Sequence, residues 1–203
     1  MKKTLLINAC ARPDSRTYIL AEKTAARINA DYSTINLYNE NLRPLDYSDL
    51  IKRDSFIEQD DFGDDMFRFA RDFRDAEEIV IAAPYWDLSF PSVLKCYFEA
   101  ICVSGLTFKY GESGQVIPLC KCKRLIYVTT AGGYIGDNNF GYDYVKALCV
   151  HLFGIDNIVC VSAEGLDIIG NDIEAILKNA ENAISTRIVS VERFNPKTDH
   201  YSN

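Results

Sequence analysis

A chain of 203 residues, 48% hydrophobic and 25% charged, is long enough for one well-buried domain and too evenly mixed for disorder, collagen-like repeats or a coiled coil. Its 29 acidic residues outnumber 22 basic ones, for a net charge of −7. Without a Lys/Arg run, that balance argues against nucleic acid as a partner. Seven cysteines at irregular spacing, several inside apolar runs, fit small hydrophobes in a reduced, cytoplasmic setting better than a disulfide framework.

Met1-Lys2-Lys3 before Leu5-Leu6-Ile7 faintly imitates a signal peptide, but the apolar core is short and Arg12 follows at once. The stretch Thr4 to Ala9 reads instead as a first strand. No apolar run approaches the roughly 18 residues of a membrane span. A polar break, Ala11 to Ser15, leads into helical spacing at Ile19, Leu20, Lys23, Ala26 and Arg27. Strand, polar turn and helix open a βαβ unit. Tyr32 to Leu37 is expected as a second strand, and Asn39 to about Asp54 as a long polar excursion. Phe62 to Asp75 has helical periodicity, and Glu78 to Ala82 is a third strand. Ser92 to Cys102 is a helix with Val93, Leu94, Tyr97, Phe98 and Ile101 on one face.

Leu106 to Pro118 reads as a loop or a small hairpin. Arg124 to Thr129 is the fourth strand, Thr130 to Gly133 a tight turn, Tyr142 to Phe153 a helix and Asn157 to Ser162 the fifth strand. A long helix runs from Ile173 to about Val191, and a loose tail is expected from Asn195. Five strands alternating with helices imply one α/β domain over residues 1–203, its parallel sheet covered on both faces. The count matches the flavodoxin-like order 2-1-3-4-5, although sequence alone does not establish the order.

Ligands of such sheets sit at the carboxyl ends of the strands, where the loops after strands one, three and four meet. The first loop, Cys10 to Thr17, carries Arg12, Ser15, Arg16 and Thr17 at a helix start. Free N–H groups, hydroxyls and guanidiniums there favour a phosphate. Asp14 or Ser15 reads equally as a plain helix cap. The second loop, Pro84-Tyr85-Trp86-Asp87-Leu88, is an aromatic ledge suited to a planar ring, or else a plug for the core or a subunit interface. The third, Thr130-Ala131-Gly132-Gly133, lets backbone approach a ligand or simply turns into the next helix. Together the three describe a site for a mononucleotide with a flat ring, so Gly132→Val is expected to block the ring sterically. No Walker loop, G-x-G-x-x-G motif or metal-ligand spacing is present, and Cys120-Lys121-Cys122 lacks a second ligand pair. His151, in an apolar helix, reads as a packed or interface histidine.

The runs Ala83-Pro84-Tyr85-Trp86-Asp87-Leu88, Leu94-Lys95-Cys96-Tyr97-Phe98-Glu99, Gly105-Leu106-Thr107-Phe108-Lys109-Tyr110 and Thr129-Thr130-Ala131-Gly132-Gly133 resemble the FMN-dependent NAD(P)H oxidoreductases of the azoreductase and quinone reductase type. The family commonly has Asn where Asp87 stands, often Tyr at Trp86, and Ser-x-Ser where this chain reads Ser15-Arg16-Thr17. The resemblance implies FMN as cofactor, NADH or NADPH as donor, and a ping-pong transfer of two electrons to quinones, azo compounds, nitroaromatics or flavin. It also implies a homodimer with Val93 to Cys102 as a natural contact surface. The flavin carries the chemistry, and Asp87 and Tyr134 are the candidates for steering substrate protonation. The alternatives are a flavodoxin-like electron carrier and a non-catalytic flavin- or nucleotide-sensing module.

Overall fold

The apolar runs Thr4–Asn8 (β1), Glu78–Ala82 (β3) and Arg124–Thr130 (β6) lie side by side, and alternate residues face opposite ways. Leu5, Ile7, Ile79, Ile81, Leu125 and Tyr127 point into one core cluster; Leu6, Val80, Ala82, Ile126 and Val128 point into the other. Both faces are covered, so the centres of these strands are apolar on both sides. Tyr32–Asn36 (β2) and Ile158–Ala163 (β7) flank them, giving an all-parallel order β2-β1-β3-β6-β7. Phe108–Tyr110 (β4) and Val116–Pro118 (β5) form a separate antiparallel hairpin, which resolves the open reading of that segment. The expected fourth and fifth strands are therefore β6 and β7. The computed structural model describes residues 3–192, with side chains to residue 184. The tail expected from Asn195 lies outside the described residues.

Arg16–Ile28 (α1) and Ile173–Glu192 (α6) pack on one face of the sheet. Arg68–Asp75 (α3), Ser92–Ile101 (α4) and Phe140–Leu148 (α5) pack on the other. The buried stripe of α1 is Thr17, Leu20, Ala21, Thr24 and Ala25, whereas Ile19 is 46% exposed. Of the spacing expected through Ile19, Leu20, Lys23, Ala26 and Arg27, only Leu20 falls on the buried stripe, whose other members are small residues that let α1 approach the sheet closely. A π-helical turn, Cys149–Phe153, extends α5 to a left-handed Gly154. It leaves His151 exposed rather than packed against this chain.

The polar excursion expected after β2 is not structureless: Tyr47–Glu58 (α2) is a helix. Asp46 accepts from the Asp49 amide at 3.0 Å and Asp49 accepts from the Asp46 amide at 3.0 Å, a capping box that starts the helix. None of its residues is fully buried, so no clean apolar stripe announces it. The helix expected from Phe62 begins later. Asp64 caps a 3₁₀ turn, Asp65–Phe67, ahead of α3.

All seven cysteines are free thiols. Burial pushes Cys120 and Cys122 up to about 12, and their sulfurs donate to the carbonyls of Thr107 and Arg124. They are inert packing groups. Among the described residues, no three His, Cys, Asp or Glu side chains gather into a metal-binding arrangement.

Asp75 closes α3 against the 121–123 segment. It accepts from Arg74 Nε at 3.0 Å and Nη2 at 2.7 Å and pairs with Lys121 at 2.8 Å. The Arg74 hydrogen bonds hold its carboxyl at about 2, below the usual 3.8. A depressed carboxylate stabilises the fold above its unfolded pKa, and that contribution fades as pH falls toward the folded one. Urea unfolding should show Asp75→Asn weaker than the parent by about 1 kcal/mol or less near neutrality, given partial exposure. The gap should narrow between about pH 4 and about pH 2. A gap constant across that range would contradict the assignment.

Candidate active site

The switch of strand order between β1 and β3 opens a crevice at the carboxyl end of the sheet. A cavity of about 320 Å³ lies there. It is lined by Arg12, Asp14, Ser15, Arg16 and Thr17 from the first loop, Pro84, Tyr85 and Trp86 from the second, and Thr130, Ala131 and Gly132 from the third. Segments far apart in sequence are therefore brought to one place. Direct bonds pin them together. The Thr17 and Thr130 hydroxyls meet at 2.7 Å, the Tyr85 amide donates to Thr130 O at 3.0 Å, and the Tyr85 hydroxyl donates to Asn138 O at 3.0 Å.

The first loop has a double role. Ser15 is the N-cap of α1, its hydroxyl accepting from the Tyr18 amide at 3.4 Å. The Arg16 and Thr17 amides make no hydrogen bond and stand at the positive end of the helix. Arg16 Nη1 donates to Leu166 O at 3.3 Å and Asp167 Oδ1 at 3.1 Å.

Leu166 and Asp167, just after β7, are cavity-lining residues missing from the sequence-based set. The signal was topological: β7 pairs with β6, so its carboxyl end must lie beside the third loop. Asp167 and Leu166 donate their amides to Gly132 O and Ala131 O. A Cβ on Gly132 would come within 2.4 Å of Asp167 Oδ2. The close approach that Gly132 allows is thus to the Asp167 carboxylate, which changes the reason Gly132→Val would disturb the site.

The ledge is a tight two-residue turn. Trp86 and Ser89 exchange backbone bonds at 3.1 and 2.8 Å, with Asp87 and Leu88 left-handed at φ 50° and 65°. Such a turn normally takes Gly or Asn, and bulky residues there mark a strained position worth a functional reading. The turn is braced from below, since a Cβ on Gly141 of α5 would lie 3.0 Å from the Ser89 carbonyl carbon. The Asp87 and Leu88 amides are unbonded, as are those of Gly132 and Gly133.

Five residues of the predicted set do not line the cavity. Cys10 lies beneath the loop in the core, 5% exposed, its thiol pushed up to about 11 by burial. Asp87, Leu88 and Gly133 are exposed at the rim, where the turn geometry sends the Asp87 and Leu88 side chains outward. Tyr134 is also at the rim, 72% exposed, within contact distance of Gly165.

Comparisons with known proteins place this arrangement. A family model described as the flavodoxin-like fold matches residues 2–188. An FMN-dependent NADH:quinone oxidoreductase 2 of Clostridium acetobutylicum is 35% identical over 88% of this chain and 94% of its own. An FMN-dependent NADH:quinone oxidoreductase of Clostridium perfringens is 33% identical over 91% and 98%. Among solved structures, an azoreductase from Bacillus anthracis superposes with a TM-score of 0.77 at 21% identity, covering 92% of this chain and 98% of that one. A second Bacillus anthracis structure, an FMN-dependent NADH-azoreductase in complex with FMN, gives 0.74 at 23% identity, covering 92% and 99%. Sheet order, the crevice at its switch point and a family match over nearly the whole chain agree, and the chain belongs to the flavodoxin-like fold family.

Proposed function

We propose that this protein is an FMN-dependent NAD(P)H oxidoreductase that reduces quinones, azo compounds and related planar acceptors by two electrons. The observation that carries the reading is the convergence of a cationic helix start, an aromatic ledge and a glycine pair on one cavity. The curated relatives named as FMN-dependent NADH:quinone oxidoreductases support the cofactor, NADH as donor and quinone as acceptor.

The residues present fit a flavin mononucleotide. The unbonded amides of Arg16 and Thr17, the Ser15 and Thr17 hydroxyls and two guanidiniums form a donor set for a phosphate. Pro84, Tyr85 and Trp86 offer an apolar wall for a ring, and the free amides of Asp87, Leu88, Gly132 and Gly133 offer donors to ring heteroatoms. When bound, flavin supplies the redox chemistry, accepting hydride from NADH and passing two electrons on. The chain itself anchors the phosphate through the first loop, orients the ring on the ledge and leaves an open face for donor and acceptor in turn. Tyr134 and Asp87, both exposed, are the candidates for steering an arriving acceptor. The active form is a homodimer contacting through α4, in the cytoplasm, with no nucleic-acid or membrane partner.

The test is direct. Protein mixed with FMN and desalted should retain a visible flavin spectrum and, without oxygen, sustain NADH consumption beyond one equivalent only when a benzoquinone is added. Colourless protein, or NADH consumption indifferent to FMN, would overturn the reading. Parallel assays with NADPH decide the donor, and light scattering reporting a monomer would remove the dimer.

A further inference from the structure

A second cavity of about 290 Å³ lies against helix α2, none of whose residues is fully buried. The lining comes from α2, the 41–45 segment, the turn into α3, and Ala100 of α4, and it shares no residue with the flavin crevice. Its walls are apolar at Leu42, Met66, Phe67 and Phe69 and polar at Asn41, Asp49 and Asp65, the two carboxylates already facing Arg43 at 2.6 Å and Arg68 at 3.8 Å. Three arginines border it, and two are already satisfied. Arg43 pairs with Asp46 at 3.1 Å and Asp49 at 2.6 Å. Arg68 pairs with Glu40 and lies over the Phe69 ring at 4.3 Å.

Arg53 differs. It is half-buried, its Nε is buried without a hydrogen-bond partner, and no carboxylate among the described residues pairs with it. A buried, unsatisfied guanidinium nitrogen is costly and asks for an explanation. Arg53 lines a cavity walled in part by Leu42, Met66, Phe67 and Phe69, and the partner that would neutralise its guanidinium there is an anion carried on a compact apolar body. A carboxylate matches the guanidinium fork, and the walls match the body. We propose that this cavity is a second binding site, for a small organic monocarboxylate whose charge pairs with Arg53 and whose apolar body rests against Met66, Phe67 and Ala100.

The probe is benzoate, added to the FMN-saturated protein in its native oligomeric state. A flat acid could also enter the flavin crevice, so the primary readout is the Arg53 Nε–H resonance in ¹⁵N-labelled protein. That resonance should shift saturably with benzoate and stay still with benzyl alcohol. Calorimetry should show at least tenfold weaker binding to Arg53→Met at this site and only a few-fold loss in Arg53→Lys. The melting temperature of Arg53→Met should be unchanged or higher, which separates lost binding from lost folding. Absence of a saturable shift, undiminished binding by Arg53→Met, or inorganic phosphate binding as tightly as benzoate would each overturn the proposal. These readouts do not depend on turnover, so failure of the oxidoreductase reading would leave this test intact.

Discussion

Replacing Arg12 and Arg16 together by alanine should weaken FMN binding at least about a hundredfold, measured by quenching of flavin fluorescence. Charge-assisted hydrogen bonds contribute roughly 1.5–3 kcal/mol each, so two lost contacts reach this range. Electrostatics push further in the same direction. The cavity is lined by two arginines and two aspartates, Asp14 and Asp167. Without the arginines, only the helix-terminal amides oppose two carboxylates facing a dianionic phosphate. Single Arg16→Ala should also free Asp167, which now holds that guanidinium at 3.1 Å. Folding should hardly change, because the Arg16–Asp167 pair is exposed (44% and 73%) and such pairs contribute about 0–1 kcal/mol. Rising salt should weaken binding to the parent and affect the double variant much less. An unchanged dissociation constant in the double variant would move the phosphate out of the first loop. Ser15 is the poorer target, since its hydroxyl also caps α1 and its loss confuses folding with binding.

The unequal legibility of the chain has physical causes. β1, β3 and β6 are buried on both faces, so each has an unbroken apolar centre that marks it as a strand, with polar or charged residues only toward its ends. The three loops were found because strand order dictates where they meet. Leu166 and Asp167 were missed although the same rule applies to the loop after β7. Nothing in their side chains announces chemistry, and Asp167 gains its position only through Arg16 and Gly132. Helix α2 escaped because periodicity detects a buried stripe and α2 has none; its Asp46–Asp49 capping box was the readable sign. The left-handed pair Asp87–Leu88 was invisible, since no glycine or asparagine marks it. Tertiary packing imposes that conformation, through the Trp86–Ser89 bonds and the bare Cα of Gly141 beneath. Recognition of the site thus rested on residue types, while its exact shape rests on contacts made across the fold.

At the opposite end of the sheet, Glu78→Ala should destabilise the protein by about 3–5 kcal/mol in urea unfolding. Glu78 begins β3 and Arg124 begins β6, and the two are register partners on adjacent strands. Arg124 Nε donates to Glu78 Oε2 at 2.8 Å, with both side chains only 6% exposed. Removing the carboxylate strips a buried guanidinium of its counter-charge, and water cannot readily replace it. The neighbouring pair is a built-in control: Lys123 and Glu77 meet at 3.3 Å on the same two chain segments but are 72% and 32% exposed. Glu77→Ala should therefore cost no more than about 1 kcal/mol. The double replacement Glu78→Leu with Arg124→Met should recover part of the loss, because it is the stranded charge, not the absent bond, that dominates. Flavin affinity should be unaltered in all of these variants under native conditions, since the pair sits at the amino ends of strands whose carboxyl ends carry the cavity. A cost for Glu78→Ala no greater than for Glu77→Ala would mean that the guanidinium finds water or another acceptor once Glu78 is gone, and that burial at this edge of the sheet is shallower in solution than the 6% exposures indicate.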